Sequence, residues 1–289
     1  EFECEFLGSV DTLINAAKLK ALVYEQPVEQ NGKLSVYERP YSKRDYIITV
    51  DVARGVGKDY SAFIVADITE FPYKVVATYR DNEIKPMLFP SVIADIGKAY
   101  NNAYILCEVN DIGDQVASIL FYDLEYENLL MVAMRGRAGQ IVGSGFSGVK
   151  TQLGVKMSQV TKKIGCSNLK TLIEDDKLVF NDYNIISELT TFIQKRQSFE
   201  AEEGCNDDLA MCLVIFAWLV AQDYFKEMTD QDVREKNIRG TEKCDRARHG
   251  TFGFISDGFE EMGGETVDSD GTVWKTDEYG DRSYMWEYR

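Results

Sequence analysis

A chain of 289 residues with 45% hydrophobic and 12% aromatic content can bury one sizeable core plus additions, which excludes a chain disordered throughout. Its formal charge of −16 counts against a uniformly basic nucleic-acid binder, and its longest uncharged apolar run, 209–222, is too short for a bilayer span of about 20 residues. The single histidine, His249, lies in a Gly-rich stretch, so a Ser-His-Asp triad or a histidine-held zinc would depend on a badly placed residue.

In chain order, residues 1–45 carry short apolar clusters, "FECEFLGSVDTLI" and "AAKLKALVYE", and then a polar connector ending near Arg44. They read as the edge of a preceding domain plus a linker. No signal-peptide pattern opens the chain, which starts with Glu rather than Met and reads as a piece of a longer protein. From Tyr46 the pattern turns regular. Apolar and β-branched runs predict strands at 46–51, 61–68 and 73–80. A helix fits 87–100, with Pro86 at its start, and the uniformly apolar "AYILCEV" at 103–109 predicts a central strand. A helix over 113–124 and a strand over 129–134 follow.

The stretch "RGRAGQIVGSGFSGVK" is rich in Gly and Ser and reads as a long loop or hairpin. Beyond it the pattern predicts a helix at 158–175, a strand at 177–180, a helix at 184–194, a strand at 197–202 and a long apolar helix over 207–225. Three antiparallel strands followed by alternating helices and strands give an α/β fold, a mixed sheet with helices on its faces. Residues 231–289 form an acidic, Gly-rich tail with scattered aromatic residues, whose order the sequence leaves open. Six cysteines, at 4, 107, 166, 205, 212 and 244, show no CxxC pair and mostly sit in apolar segments, as reduced cytosolic thiols do.

The segment "YIITVDVARGVGKDYSAFIVADI" poses the first functional choice. A phosphate-binding loop needs four residues between its first Gly and the Gly-Lys pair, then Ser or Thr. Here Gly55, Gly57 and Lys58 are too close together, Asp59 stands where the hydroxyl belongs, and a strand pattern follows instead of a helix. The glycines therefore read as a hairpin loop, and Asp51 before them becomes the candidate group.

Three acidic positions fall at the ends of core elements: Asp51, Glu108 in "AYILCEVN", and the pair Asp207 and Asp208 opening the last helix. Each has a plain structural alternative. Asp51 can bond turn amides, Glu108 can pair with a lysine, and Asp207 and Asp208 can serve a first helical turn behind an Asn206 cap. Taken together they are three or four hard oxygen ligands without histidine, which suit Mg²⁺ or Mn²⁺. Such a set fits phosphodiester hydrolysis with two metal ions about 4 Å apart. Charge distribution complements it. From Asn128 to Ile173 there is no acid, while Arg135, Arg137, Lys150, Lys156, Lys162, Lys163 and Lys170 are all basic, a pattern able to attract a phosphodiester backbone. Lys170 reads equally well as a solvated helix residue.

In order along the chain, "ITVDVARGVGKDYSAFIVADI", "YILCEVNDIGDQVASILFYDLEYE", "TKKIGCSNLKTLIEDDKLVF" and "EEGCNDDLAMCLVIFAWL" resemble the nuclease domain of the large terminase subunit of T-even-like tailed bacteriophages. The resemblance covers roughly residues 1–230 and implies a ribonuclease H-like mixed sheet with helices on both faces. It implies the end of an ATPase domain and linker at 1–45, a nuclease domain at 46–230 and a tail at 231–289. By that resemblance Asp51, Glu108 and Asp207 are catalytic metal ligands, Asp208 is an adjacent ligand, and Asp59 is a weaker candidate for an outer or second-metal position. Arg135, Arg137, Lys150, Lys156, Lys162 and Lys163 are the candidate DNA contacts.

The implied activity is Mg²⁺- or Mn²⁺-dependent cutting of concatemeric double-stranded DNA at the start and end of headful packaging. The implied partners are DNA, the portal ring and prohead, the small terminase subunit and the ATPase domain of the full-length chain, with no membrane. The implied location is the host cytoplasm and, transiently, the prohead portal. Two departures stand out: Asn206 replaces the usual His before the Asp pair, and the Gly-rich insert 136–154 is longer than the pattern expects. Competing readings are a junction resolvase or transposase of the same fold, and a noncatalytic module that grips DNA and docks on the portal.

Overall fold

The computed structural model describes residues 11–57, 59–134, 150–196 and 198–226, together with short strands at 254–255, 265–267, 273–276 and 282–284. A short helix α1 (Ala16–Ala21) and a hairpin of β1 (Glu29–Asn31) and β2 (Leu34–Val36) lead into β3 (Tyr46–Asp51), β4 (Ser61–Asp67) and β5 (Tyr73–Asp81). Helix α2 (Phe89–Ala99), strand β6 (Tyr104–Cys107) and helix α3 (Gly113–Ser118) follow, the last passing directly into a π turn over Ile119–Asp123. Then come β7 (Met131–Met134), β8 (Lys150–Gln152), α4 (Gln159–Glu174), β9 (Leu178–Val179) and α5 (Tyr183–Thr191). A hairpin of β10 (Phe192–Lys195) and β11 (Ser198–Ala201) precedes α6 (Asp208–Val220).

The central sheet runs β1-β2-β5-β4-β3-β6, with β9 joining β5. Strands β3, β4 and β5 are antiparallel, whereas β6 runs parallel to β3. Period-two alternation divides these strands between two cores. Ile48, Val50, Phe63, Val65, Ile105 and Cys107 point towards α2 and α3. Ile47, Ala62, Ile64, Ala66 and Leu106 point the other way, towards α4, α5 and α6. Both faces of the sheet are thus covered, and near-continuous apolar strands are the sequence consequence.

Helix α6 is buried at every residue from Asp208 to Leu219, so it is apolar all round instead of striped. It crosses β3, where the Thr49 hydroxyl donates to the Cys212 carbonyl at 2.9 Å. Gly165 of α4 permits close approach on its other flank: a Cβ there would meet the Val214 carbonyl oxygen at 2.6 Å.

The strand pattern from Tyr46 onwards agrees closely with the sequence expectation, and three differences have physical causes. The helix expected over 184–194 stops at Thr191, because 192–195 pairs with β11 on one side and the Phe192 carbonyl and Gln194 amide bond Leu13 and Asp11 on the other. The segment read as linker lends β2 to the sheet and Leu13, Ile14 and Leu19 to the core, and Arg44 forms an ion pair of 2.5 Å with the buried Asp67. The long last helix ends at Val220, with a separate turn at 223–226.

Most of the expected tail and the stretch 135–149, including Arg135 and Arg137, lie outside the described residues, as does Lys58 of the hairpin loop. Of the tail, β12 (Phe254–Ile255) pairs with β7. A separate unit at 257–289 contains the antiparallel strands β13 (Glu265–Val267), β14 (Val273–Thr276) and β15 (Arg282–Tyr284). No helix among the described residues is long and apolar enough to cross a membrane.

The contact at Gly165 is against backbone, which cannot yield as a side chain can. Gly165→Ala is expected to destabilise the protein by about 1–3 kcal/mol through overpacking. A lower urea midpoint with an unchanged m-value would show it.

Candidate active site

The alternation that builds the two cores also aims the acids. Asp51 follows Ile47 and Thr49 on the α6 face of β3, and Glu108 follows Leu106 on the same face just past β6. The parallel pairing of β3 with β6 matches Val50 with Cys107, so the two carboxylates emerge side by side at one end of the sheet. The Glu108 amide donates to the Val50 carbonyl at 2.9 Å, which extends the pairing by one residue. Gly113 lets the start of α3 approach, since a Cβ there would sit 2.0 Å from the Glu108 carbonyl oxygen. Gly154, at φ +118, likewise lies against the Cys107 carbonyl.

Helix α6 starts over this edge. Asp207 occupies its N-cap position without capping it; its Oδ2 accepts the Ala201 amide at 3.2 Å. Asp208, the first helical residue, is buried and accepts the Tyr60 amide on Oδ1 at 3.1 Å. Its Oδ2 is buried with no hydrogen-bond partner.

Electrostatics tie the acids together. Asp51, although partly open to solvent, is pushed well above the usual carboxylate range by burial first, and then by the charges of Glu108, Asp208 and Asp207. Burial raises Glu108 to about 7 against the opposing pull of the Lys162 ammonium and a 2.6 Å hydrogen bond from Asn110. Burial also raises Asp208 to about 6, opposed by the Tyr60 amide and Arg80 and reinforced by Asp207 and Asp59. The structure therefore brings Asp51, Glu108, Asp207, Asp208 and Asp59 into one electrostatic neighbourhood.

Hard carboxylate oxygens, mutual repulsion and a buried oxygen without a partner fit a divalent cation in chemistry. Among the described residues no three His, Cys, Asp or Glu side chains already converge as a ligand set. The acids thus share a field instead of a finished cage.

The basic candidates divide. Lys162 projects from α4 close enough to act on Glu108, with its Nζ 5.6 Å from the Phe192 ring centre. Lys156 and Lys163 are exposed nearby. Lys170 lies 4.0 Å from Glu174, one turn on, and belongs to the helix surface. Arg135 and Arg137 lie outside the described residues, as does the side chain of Lys150.

Five contributors escaped the sequence reading. Asn110 holds Glu108, Tyr60 supplies the amide to Asp208, and Arg80 and Glu188 form a 3.4 Å ion pair behind Asp208. Arg196, at the turn of the β10–β11 hairpin, lines a cleft of about 550 Å³ together with Lys162 and Lys163. Cross-strand register, with Asp51 opposite Ala62 and Ala62 opposite Arg80, puts Arg80 on the same face as Asp51; alternation within β5 does not give this, because a register shift between Val75 and Ala77 interrupts it.

A mixed sheet in this order, clothed on both faces and carrying acids where β3, β6 and α6 meet, defines the ribonuclease H-like class. The chain matches the terminase RNaseH-like domain family over residues 48–232 and belongs to it. Its fold is similar to the large terminase nuclease of thermophilic phage G20c with bound magnesium, at 23% identity and a TM-score of 0.54, covering 73% of this chain and 97% of that one. The cobalt-bound form of that nuclease gives the same values. The large terminase nuclease domain of Thermus phage P74-26 is similar at 23% identity and a TM-score of 0.50, covering 71% of this chain and 93% of that one.

The raised carboxyl groups fix a sign for pH dependence. Each is more easily protonated in the folded state than in the unfolded chain, where carboxyls titrate near about 4. Their favourable contribution is complete below that value and lost as pH rises through the folded values of about 6 for Asp208 and about 7 for Glu108. The thermal midpoint of metal-free protein is therefore expected to fall between about pH 5 and 8, and added Mg²⁺ or Mn²⁺ to restore it most at the upper end. Thermal scans in EDTA and in each metal across that range check both parts.

Proposed function

We propose that this chain is a metal-dependent endonuclease domain of a viral terminase large subunit, cutting concatemeric double-stranded DNA during genome packaging. The observation that carries the reading is the set of acids at the meeting point of β3, β6 and α6, of which Asp51, Glu108 and Asp208 are raised first by burial and further by neighbouring acids, with the buried Oδ2 of Asp208 left without a hydrogen bond. Such a set is costly as bare charge and becomes favourable around a cation. Family membership and the magnesium- and cobalt-bound relatives support the same reading.

Asp51, Glu108, Asp207 and Asp208 are the residues that would hold Mg²⁺ or Mn²⁺. The bound ions would supply an activated water and stabilise charge on the leaving 3′ oxygen. The chain's own part is orientation. Asn110 fixes Glu108, Ala201 takes one oxygen of Asp207, and Tyr60 takes one of Asp208, so each carboxylate offers its remaining oxygen in a restricted direction. Lys162 stands beside Glu108, where it both tempers the acid cluster and meets an incoming phosphate. Asp59, close enough to raise Asp208, is the candidate for an outer position around the cation.

The basic residues of α4 face a DNA backbone, with Arg196 across the same cleft. Lys150, Arg135 and Arg137 extend this role by their place in the acid-free stretch. Work alongside an ATPase domain, a small terminase subunit, and the portal and prohead completes the reading, with host cytoplasm and portal as its places of action.

Plasmid cleavage tests the chemistry. The native chain is expected to nick and linearise supercoiled DNA in Mg²⁺ or Mn²⁺ and not in EDTA. Asp51→Asn or Glu108→Gln should lower the rate by at least about a hundredfold, since even residues that merely support metal ligands cost 10- to 100-fold. DNA binding by a folded native chain without cutting in any divalent metal would instead identify a gripping module, and a strong preference for four-way junctions would identify a resolvase.

Replacing Lys156, Lys162 and Lys163 together by Ala should weaken duplex binding and lower the slope of log K against log salt by up to about 2.7, near 0.9 per lost phosphate contact. Titrations at several salt concentrations measure it, and an unchanged slope would remove these lysines from the DNA path.

A further inference from the structure

Arg80 and Glu188 contribute no oxygen to the acid edge, yet both are held against it. Glu188 is 4% exposed; its Oε2 accepts the Ala210 amide at 2.9 Å, and its Oε1 lies 3.4 Å from Arg80 Nη2. A carboxylate from α5 thus bonds the first turn of α6, a turn that its own N-cap residue Asp207 leaves uncapped. Arg80 is the third member of a cross-strand row, Asp51 opposite Ala62 and Ala62 opposite Arg80, so it shares a sheet face with Asp51, separated from it by a single methyl group. Its guanidinium carbon lies 3.8 Å over the Tyr60 ring, and the Tyr60 amide holds Asp208 Oδ1.

Two routes therefore run from one ion pair to Asp208. Glu188 fixes the helical turn that carries it, and Arg80 fixes the tyrosine whose amide binds it. With Oδ1 committed, the one oxygen of Asp208 left for another partner is Oδ2, buried and without a hydrogen bond.

We propose that Arg80 and Glu188 are positioning residues that lock Asp208 in a single orientation, presenting Oδ2 to a divalent cation. This rests on the metal-dependent nuclease reading and deepens it. The role differs from that of an ordinary buried ion pair, which apolar groups of similar shape can replace with little loss. Here replacement removes a helix cap and a stacking platform, and the effect is passed to a carboxylate neither residue touches.

The experiment compares native protein with Arg80→Met, Glu188→Ala, Glu188→Gln and the double variant Arg80→Met/Glu188→Ala. Amide hydrogen exchange at Tyr60 and Ala210 is followed without metal, Mn²⁺ affinity by calorimetry, and cleavage by kcat and KM for DNA. Exchange at Ala210 is expected to quicken by about tenfold or more in Glu188→Ala and to recover in Glu188→Gln, whose amide oxygen still accepts the bond. Mn²⁺ affinity should fall by about 10- to 100-fold in Arg80→Met and Glu188→Ala, with kcat reduced and KM for DNA unchanged. The double variant should be no worse than the poorer single one, since the pair acts as a unit.

Native exchange rates combined with native Mn²⁺ affinity in the variants would overturn the proposal. So would a lowered thermal midpoint with Mn²⁺ affinity per folded molecule unchanged, the mark of a purely structural pair. If Glu188→Ala does not fold, Glu188→Gln and Arg80→Met still decide between these outcomes through Mn²⁺ affinity. A native chain that binds no Mn²⁺ would overturn the nuclease reading itself, a failure seen in the unsubstituted protein and so distinct from failure of the positioning role alone.

Discussion

A helix with no polar side must be enclosed on every side, and that constraint organises this molecule. α6 finds its enclosure between the sheet and the packed faces of α4 and α5, with β3 beneath it and Gly165 admitting α4 at close range. Its N-terminus consequently opens inside the protein, above the ends of β3 and β6. The two aspartates that begin it cannot lie in open solvent as ordinary helix-starting acids do. Burial of the helix and assembly of the site are one event.

The electrostatic cost follows from the same placement. Asp51 and Glu108 are neighbours because β3 and β6 are parallel and in register, and Asp208 joins them because α6 has to start there. Water screens these charges poorly at that depth, so each disfavours ionisation of the others. The protein answers in part with fixed dipoles and cations: the amides of Tyr60 and Ala201, Asn110, Lys162 and Arg80. These partners engage one oxygen of an acid and leave another unengaged. Within the acid cluster, Asp208 Oδ2 is the buried carboxylate oxygen left without a hydrogen bond, and a divalent cation would supply it with a partner.

Much of this was legible in the sequence because the relevant signals are periodic. The alternation of β3 places Asp51 on a face, the apolar run of β6 places Glu108, and a charged pair opening a long apolar helix marks its start. The end of α5 was not legible in the same way. "LTTFIQK" suits either a helix end or a strand, and pairing with 11–13 and with β11 decides for the strand. Residues 1–45, read as the edge of a preceding domain plus a linker, hold a related ambiguity: short apolar clusters reveal nothing of what they pack against, and among the described residues Leu13, Ile14 and Leu19 join the central core. Asn110, Tyr60, Arg80 and Glu188 were invisible because their role is set by contacts between elements distant in the chain.

The uneven charge of the chain takes on meaning in this geometry. A protein of net charge −16 repels a polyanion at long range, and an acidic reaction centre would repel it at short range as well. Binding therefore requires the repulsion to be overcome locally, and the acid-free stretch runs through β8 and α4 to bring Lys162 beside Glu108 and Lys163 to the neighbouring cleft. A divalent cation would complete the change of sign, turning the centre from a source of repulsion into an attachment point for phosphate. On these physical grounds metal occupancy and phosphate binding would be coupled: a cation that relieved the buried carboxylates would also lower the barrier to a polyanion's approach.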